Sequence, residues 1–244
     1  MAQAQLSLPR AAAEGRKNAC PDTVAGLMAE VADIVGDPAV GESEILRALG
    51  RGLMAAAAAA RLPGLAAEAQ LPFPAGQGHA ALPADMQHGP VYAFLLPGRS
   101  RVRVAPDLAA LRREIRFGAR GRIRCVAVGG GRLFARPAPT ADATLTVGYY
   151  RLPDPLVTLS DKPACLPPHL AGPLLVSFAC REIFERLEEG AEGKKPQTAA
   201  YARRFEAALA ELVALAGPAV IQEEPVDVPG SWDGGLPVFG EDWP

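Results

Sequence analysis

The stretch Thr144–Leu156, TLTVGYYRLPDPL, opens as an alternating strand and closes as a proline-broken loop. Leu145, Val147 and Tyr149 fall on one face and Thr144, Thr146 and Tyr150 on the other, the period of two that a half-buried strand requires. Adjacent tyrosines in such a strand point to opposite sides, so they make poor walls for one pocket. Tyr149 is expected to pack inward with Leu145 and Val147, leaving Tyr150 free for a neighbouring subunit. Pro153-Asp154-Pro155 then ends the strand, because proline cannot donate to a ladder. The stretch is a seam, with β-rich chain before it and helical chain after it.

Upstream of the seam, Val91–Leu96 meets the turn Pro97-Gly98, and Arg101–Val104 alternates charged and β-branched residues. Pro106-Asp107 opens a short helix with Leu108, Leu111 and Ile115 on one face. Ile123–Val128, the turn Gly129–Gly131 and Leu133–Ala135 read as a β-hairpin. Earlier still, Val24, Leu27, Met28, Val31, Ile34 and Val35 recur three and four apart behind Asp22, a good N-cap, and Gly36-Asp37-Pro38 stops the helix. A second helix from about Gly41–Ser43 carries Ile45, Leu46, Leu49 and Leu53. Its alanines Ala55–Ala60 either pack closely against another helix or simply favour helix by propensity.

Downstream, Leu170 to Leu187 and Tyr201 to Leu215 keep helical spacing, with the loop GAEGKKP between them. The order predicts an α+β protein: a helical bundle formed by N- and C-terminal helix pairs, with an inserted antiparallel β domain and extended terminal arms. The boundaries read as an arm over 1–21, a helix pair over 22–70, the β insert over 71–160, a second helix pair over 161–217 and an acidic tail over 218–244.

Composition narrows the function. Hydrophobic residues make up 49% of the 244, but many are alanine and only 6% are aromatic, so the core is thin and burial against partners is expected. MAQAQLSLPR lacks the apolar run of a signal peptide, and no stretch is apolar enough to span a membrane. Cys20, Cys125, Cys165 and Cys180 form no C-x-x-C pair and read as buried free thiols in a reducing cytoplasm.

Motifs for chemistry are missing. GAEGKKP follows no strand and precedes a proline, so it is a helix-helix loop rather than a phosphate loop. Cys165 and His169 stand four apart without a third orienting group, and His79 and His88 read as surface-loop histidines. No catalytic residue, cofactor or metal is expected.

Charge is the informative feature. From Arg99 to Arg136 there are eleven arginines against Asp107 and Glu114, a surplus of nine positive charges. Residues 219–244 carry six acids, among them Glu223, Glu224 and Asp227, and no Lys or Arg. A single-strand binder would interleave arginines with stacking aromatics, yet only Phe117 and Phe134 lie in the basic stretch. Arg101, Arg103, Arg122 and Arg124 are therefore expected on the solvent face of strands, as a surface left to solvent or turned to another subunit, with contact to DNA as the alternative.

Several local patterns occur in a fixed order: ILRALGRGL, then ALPADM at Ala81–Met86, a strand pair with the short helix, VAVGGGRLFARPAP, the seam itself, and LPPHL opening a long helix. This order resembles the head-to-tail adaptor (connector) proteins of tailed bacteriophages, over about Glu42 to Leu215. The resemblance implies a structural virion protein, not an enzyme, made in the host cytoplasm and placed in the neck. It implies a ring, usually of twelve copies, docked under the portal and extending the DNA channel to the tail. Its partners would be further copies of itself, the portal, and stopper, tail-tube or other neck proteins, with viral DNA passing through the lumen without sequence recognition and no membrane. The acidic tail would supply portal or neighbour contacts through Trp232, Phe239 and Trp243, with Glu223, Glu224 and Asp227. A stopper or tail-terminator ring is the alternative within the neck, and a DNA-binding accessory protein using the arginines is the alternative outside it.

Overall fold

The computed structural model describes residues 23–116, 118–189 and 195–219. Among them the chain is α+β, with five α-helices and seven strands. In order these are α1 (Val24–Val35), α2 (Glu42–Ala59), β1 (Ala66–Phe73), β2 (His79–Ala81), β3 (Met86–Leu96), β4 (Ser100–Val104) and α3 (Leu108–Glu114). There follow β5 (Cys125–Gly129), β6 (Arg132–Arg136), β7 (Ala143–Arg151), α4 (Pro168–Leu187) and α5 (Pro196–Ala216).

Local chemistry fixes the helix ends. Thr23 rather than Asp22 caps α1, its hydroxyl accepting from Gly26 N at 3.3 Å, and Gly36 ends the helix with φ 65°, a conformation that a side chain disfavours. The Glu188 carboxylate accepts from Gln197 N and Thr198 N, satisfying two donors that the first turn of α5 leaves without helical partners. The four long helices share one apolar core, in which Leu27, Leu49, Leu174 and Leu212 are almost fully buried, and α4 touches α1, α2 and α5. Gly52 sets the approach of α2 to α4, because a Cβ there would lie 3.1 Å from the Phe178 Cβ. The alanine run begins a turn later: Ala56, Ala57 and Ala60 are buried and Ala58 is exposed.

The strands form one sheet in the order β1-β7-β3-β4-β5-β6-β2, and its two edge strands come into contact, so the sheet is nearly closed around a second core. Phe73, Val126, Leu133, Leu145 and Val147 are fully buried inside it. The seam strand β7 lies between β1 and β3, pairing Ala66 with Tyr150 and Leu95 with Leu145. The alternation also survives: Leu145, Val147 and Tyr149 are buried, while Thr144, Thr146 and Tyr150 are half-buried.

Four expectations are corrected. The sheet is not wholly antiparallel, because β4 and β5 run parallel, Arg103 beside Cys125. A parallel pair needs a long crossover, and α3 supplies it, packing Leu111 and Ala110 on Cys125 and Ala127. Strand β1 begins in Ala66-Ala67, weak β-formers whose pairing with β7 overrides propensity. His79 and His88 lie in strands β2 and β3 rather than in loops, and His88 is half-buried. Tyr150 is not free for a neighbour, since its ring packs against the helical core of its own chain.

Candidate assembly surfaces

Three places could carry an assembly function: the seam between the two cores, the arginine face of the sheet, and the tie between residues 217–219 and the end of α2.

The seam is polar and specific. His88 Nε2 lies 3.1 Å from the carbonyl oxygen of Ala57 on α2, and Tyr150, which pairs with His88 across the ladder, presses on the helices beside it. On the opposite side of β7 the Tyr149 hydroxyl donates to the Asp85 carboxylate at 2.9 Å, and Leu152 N donates to the Asp85 backbone oxygen at 2.7 Å. Burial, followed by that carboxylate, raises the Tyr149 phenol above its ordinary pKa and keeps it neutral. The Leu-Pro-Ala-Asp turn at 82–85 thus clasps the end of the seam strand.

A shallow depression of about 240 Å³ lies here, lined by Ala66, Ala67, Glu68, Val91, Tyr92 and the tyrosine pair. The Tyr92 ring covers Gly148, where a Cβ would meet it at 2.2 Å, and its hydroxyl donates to Glu68. The two polar groups bond each other, and among the described residues the lining holds no further side chain that converges with them.

After the seam, residues 152–167 cross to α4. Asp161 organises this crossing: its carboxylate accepts from Val157 N and Thr158 N, each at 2.8 Å, and from the Thr158 hydroxyl. The same loop caps α1, as Val24 N donates to Asp161 O at 2.9 Å and Ala25 N to Leu159 O at 3.0 Å. Val157 and Leu159 stand out from this ordered loop at 67% and 56% exposure. The Thr158 hydroxyl and then the two amides hold the Asp161 carboxyl below its ordinary pKa. A depressed carboxyl stabilises the fold above its unfolded value, about 3.9, and that contribution is lost as pH falls through the lower folded value. Amide exchange at Val157 and Thr158, measured as pH is lowered below about 3.9 and corrected for intrinsic rates, is expected to lose protection. Asp161→Asn, which removes the charge, should show reduced protection already at neutral pH.

The arginine face lies on the outside of the sheet. Arg101 and Arg103 point outward from β4, and Arg122 and Arg124 are exposed in the segment just before β5 rather than within a strand. Arg103 pairs with Glu114 at 2.8 Å, and Arg122 bonds the Ser100 hydroxyl. These neighbours fix two side chains without neutralising the face, because Arg112, Arg113, Arg116, Arg120 and Arg132 are exposed as well.

Beneath this face Cys125 is buried with its thiol pushed up to about 11, chiefly by burial and then by Glu114. Cys180, in the helical core, is pushed up to about 12 by burial. Burial likewise raises the half-buried Cys165 thiol, and His169 faces Glu211 at 3.8 Å, so no thiolate-imidazole pair forms between the two. Cys20 lies outside the described residues.

The described chain ends beside the end of α2. Pro218 bridges Ala60, Ala219 N donates to Ala59 O at 3.0 Å, and Arg61 N donates to Gly217 O at 3.0 Å. Glu223, Glu224, Asp227, Trp232, Phe239 and Trp243 lie outside the described residues, which end at Ala219. Sequence reading placed Arg101 and Arg103 but missed His88 and Asp85 as seam residues, since only the long-range pairing of β3 with β7 brings them there.

No described helix is long and apolar enough to cross a membrane. The family model described as SU10 adaptor protein matches residues 22–226, most of the chain. No curated protein matches it.

Proposed function

Because the chain belongs to the SU10 adaptor protein family, and thus to the phage head-to-tail adaptors, we propose that it forms a ring docked beneath the portal and extends the DNA channel toward the tail. The observation that carries this reading is the family match over 22–226. A two-cored subunit supports it. In this reading the helices form a bundle that builds the wall of the ring, and the sheet projects from it as the inserted domain, which begins with β1 at Ala66 rather than at 71 and ends near residue 160. The flanking units are the helix pairs, the first from residue 22 to the start of β1 and the second over 161–217, with the arms 1–21 and 218–244 beyond them.

Twelve copies, the number the resemblance implies, would close the ring, with viral DNA passing without sequence recognition and stopper or tail-tube proteins below. Basic sheet and acidic tail attract across the assembly: the arginine face meets a neighbouring subunit, and the aromatic tail residues Trp232, Phe239 and Trp243, with Asp227, anchor on the portal. Large aromatic side chains are the residue types that dominate binding energy at interfaces.

A chain truncated after Val226 tests the anchor while keeping the whole matched region. Its capture by immobilised portal is expected to fall at least about tenfold, the loss that one strong anchor of roughly 1.4 kcal/mol accounts for. Unchanged capture would remove the tail from the portal contact. Images of the protein with the portal that show no ring would remove the adaptor reading itself.

A further inference from the structure

A groove of about 660 Å³ lies over α4, walled on its two sides by α1 and α5. Ile34, Leu170, Pro173, Val176 and Ala207 give it an apolar lining. Two polar groups on α4 also bear on it. Ser177 is only 6% exposed, and its hydroxyl has no bonding partner among the described residues. Pro173 has no N–H to offer the carbonyl of His169 four residues before it. We propose that this groove receives the loop 155–162 of a second copy of the chain, with Val157 and Leu159 inserted.

The chain itself supplies the matching projection. Val157 and Leu159, at 67% and 56% exposure, are two of the three most exposed large apolar side chains among the described residues, and they share one short loop. Asp161 holds that loop in shape through Val157 N, Thr158 N and the Thr158 hydroxyl, so little freedom is left to lose on docking. Charge agrees with the fit. Lys162 is exposed beside the projection, and Glu30 and Glu211 stand at the rim of the groove. The other charged groups of the rim have neighbours of their own: the Arg204 guanidinium lies 4.8 Å over the Tyr201 ring, and His169 lies 3.8 Å from Glu211.

A chain cannot fill its own groove in this way. Ala25 N bonds Leu159 O, which ties the loop to the N-terminal end of α1, whereas the groove is bounded by Glu30 and Ile34 further along that helix. Projection and groove are therefore different patches that meet between copies. Such a contact repeats head to tail, and it closes into a ring where the rotation permits. The inference rests on the ring reading above and names side chains that join its copies.

Cysteine crosslinking of the full-length chain assembled with the portal tests it, in a Cys20→Ser, Cys165→Ser background. Leu159→Cys is combined with Ala207→Cys, which is exposed on the groove wall, and the control pairs Leu159→Cys with Glu206→Cys, exposed on the far side of α5. The first pair is expected to give a ladder of linked chains beyond the dimer, at a rate at least about tenfold above the control, because docking raises the local concentration of the thiols. Val157→Ser with Leu159→Ser should raise the concentration needed for ring formation at least about tenfold while leaving thermal unfolding of the subunit little changed, since both side chains are exposed. Rings that form in the wild type but link no faster than the control would overturn this contact and leave the adaptor reading standing. Links that stop at dimers would overturn it as well. An absence of wild-type rings would remove the adaptor reading and this contact with it.

Discussion

Phe178→Ala is expected to lower the unfolding free energy by about 4 kcal/mol, the middle of the range for deleting a buried aromatic ring. Urea unfolding followed by circular dichroism checks it. Phe178 is buried on α4 against Gly52, its ring meets that of Phe205 edge-on at 5.2 Å, and the Arg181 guanidinium lies 4.4 Å from its centre. Truncation leaves a void at the closest approach of α2 and α4, removes an aromatic pair and strips a cation of its ring. The converse substitution, Gly52→Leu, should be comparably severe for the opposite reason, since Phe178 leaves no room for the added atoms. A loss below about 1 kcal/mol in Phe178→Ala, the scale of trimming a single buried methylene, would mean that the helices do not meet as described.

Reversing the arginine face is expected to have the largest effect on assembly. The quadruple substitution of Arg101, Arg103, Arg122 and Arg124 to Glu changes the local charge by eight units on an exposed surface, where folding itself should be little affected. If the face meets an acidic neighbour, rings formed with the portal at low salt should disappear from native mass spectra while the thermal unfolding of the subunit changes little. Raising ionic strength should weaken the wild-type rings in the same direction, because exposed charges separated by more than about 8 Å are largely screened at 0.15 M. Arg103 needs separate control, because its loss also frees Glu114; Arg103→Gln should leave rings intact if the face acts by summed charge. Rings that survive the quadruple substitution would argue that the face meets solvent alone.

The parts of the fold visible in the sequence are those governed by local rules. Glycine and proline punctuation placed the ends of α1, α4 and α5, and the Gly130-Gly131 pair, both at positive φ, marked the tight turn between β5 and β6. Alternation in Thr144–Tyr150 gave the faces of β7 correctly. What escaped depends on distant chain. Ala66-Ala67 have no strand character of their own and become β1 only because β7 offers an edge. The parallel β4–β5 pair follows from how α3 folds back, which no spacing within either strand records.

Alternation also could not say which body covers each face. It assigned Tyr150 to the outside of the sheet, and that outside is where α2 lies. The candidate surfaces divide in the same way. Arginines on β4 were legible because the charged residues on either side of the buried Val102 must face the other way, while the Asp85 clasp needed two motifs more than sixty residues apart to meet.

The bonds that tie Pro218 and Ala219 to Ala59–Arg61 give the chain a mechanical character. Force applied beyond Ala219 would load the short bridge at the end of α2, two residues from the Ala57 carbonyl that lies against His88 Nε2, and so reach the place where helices and sheet are joined.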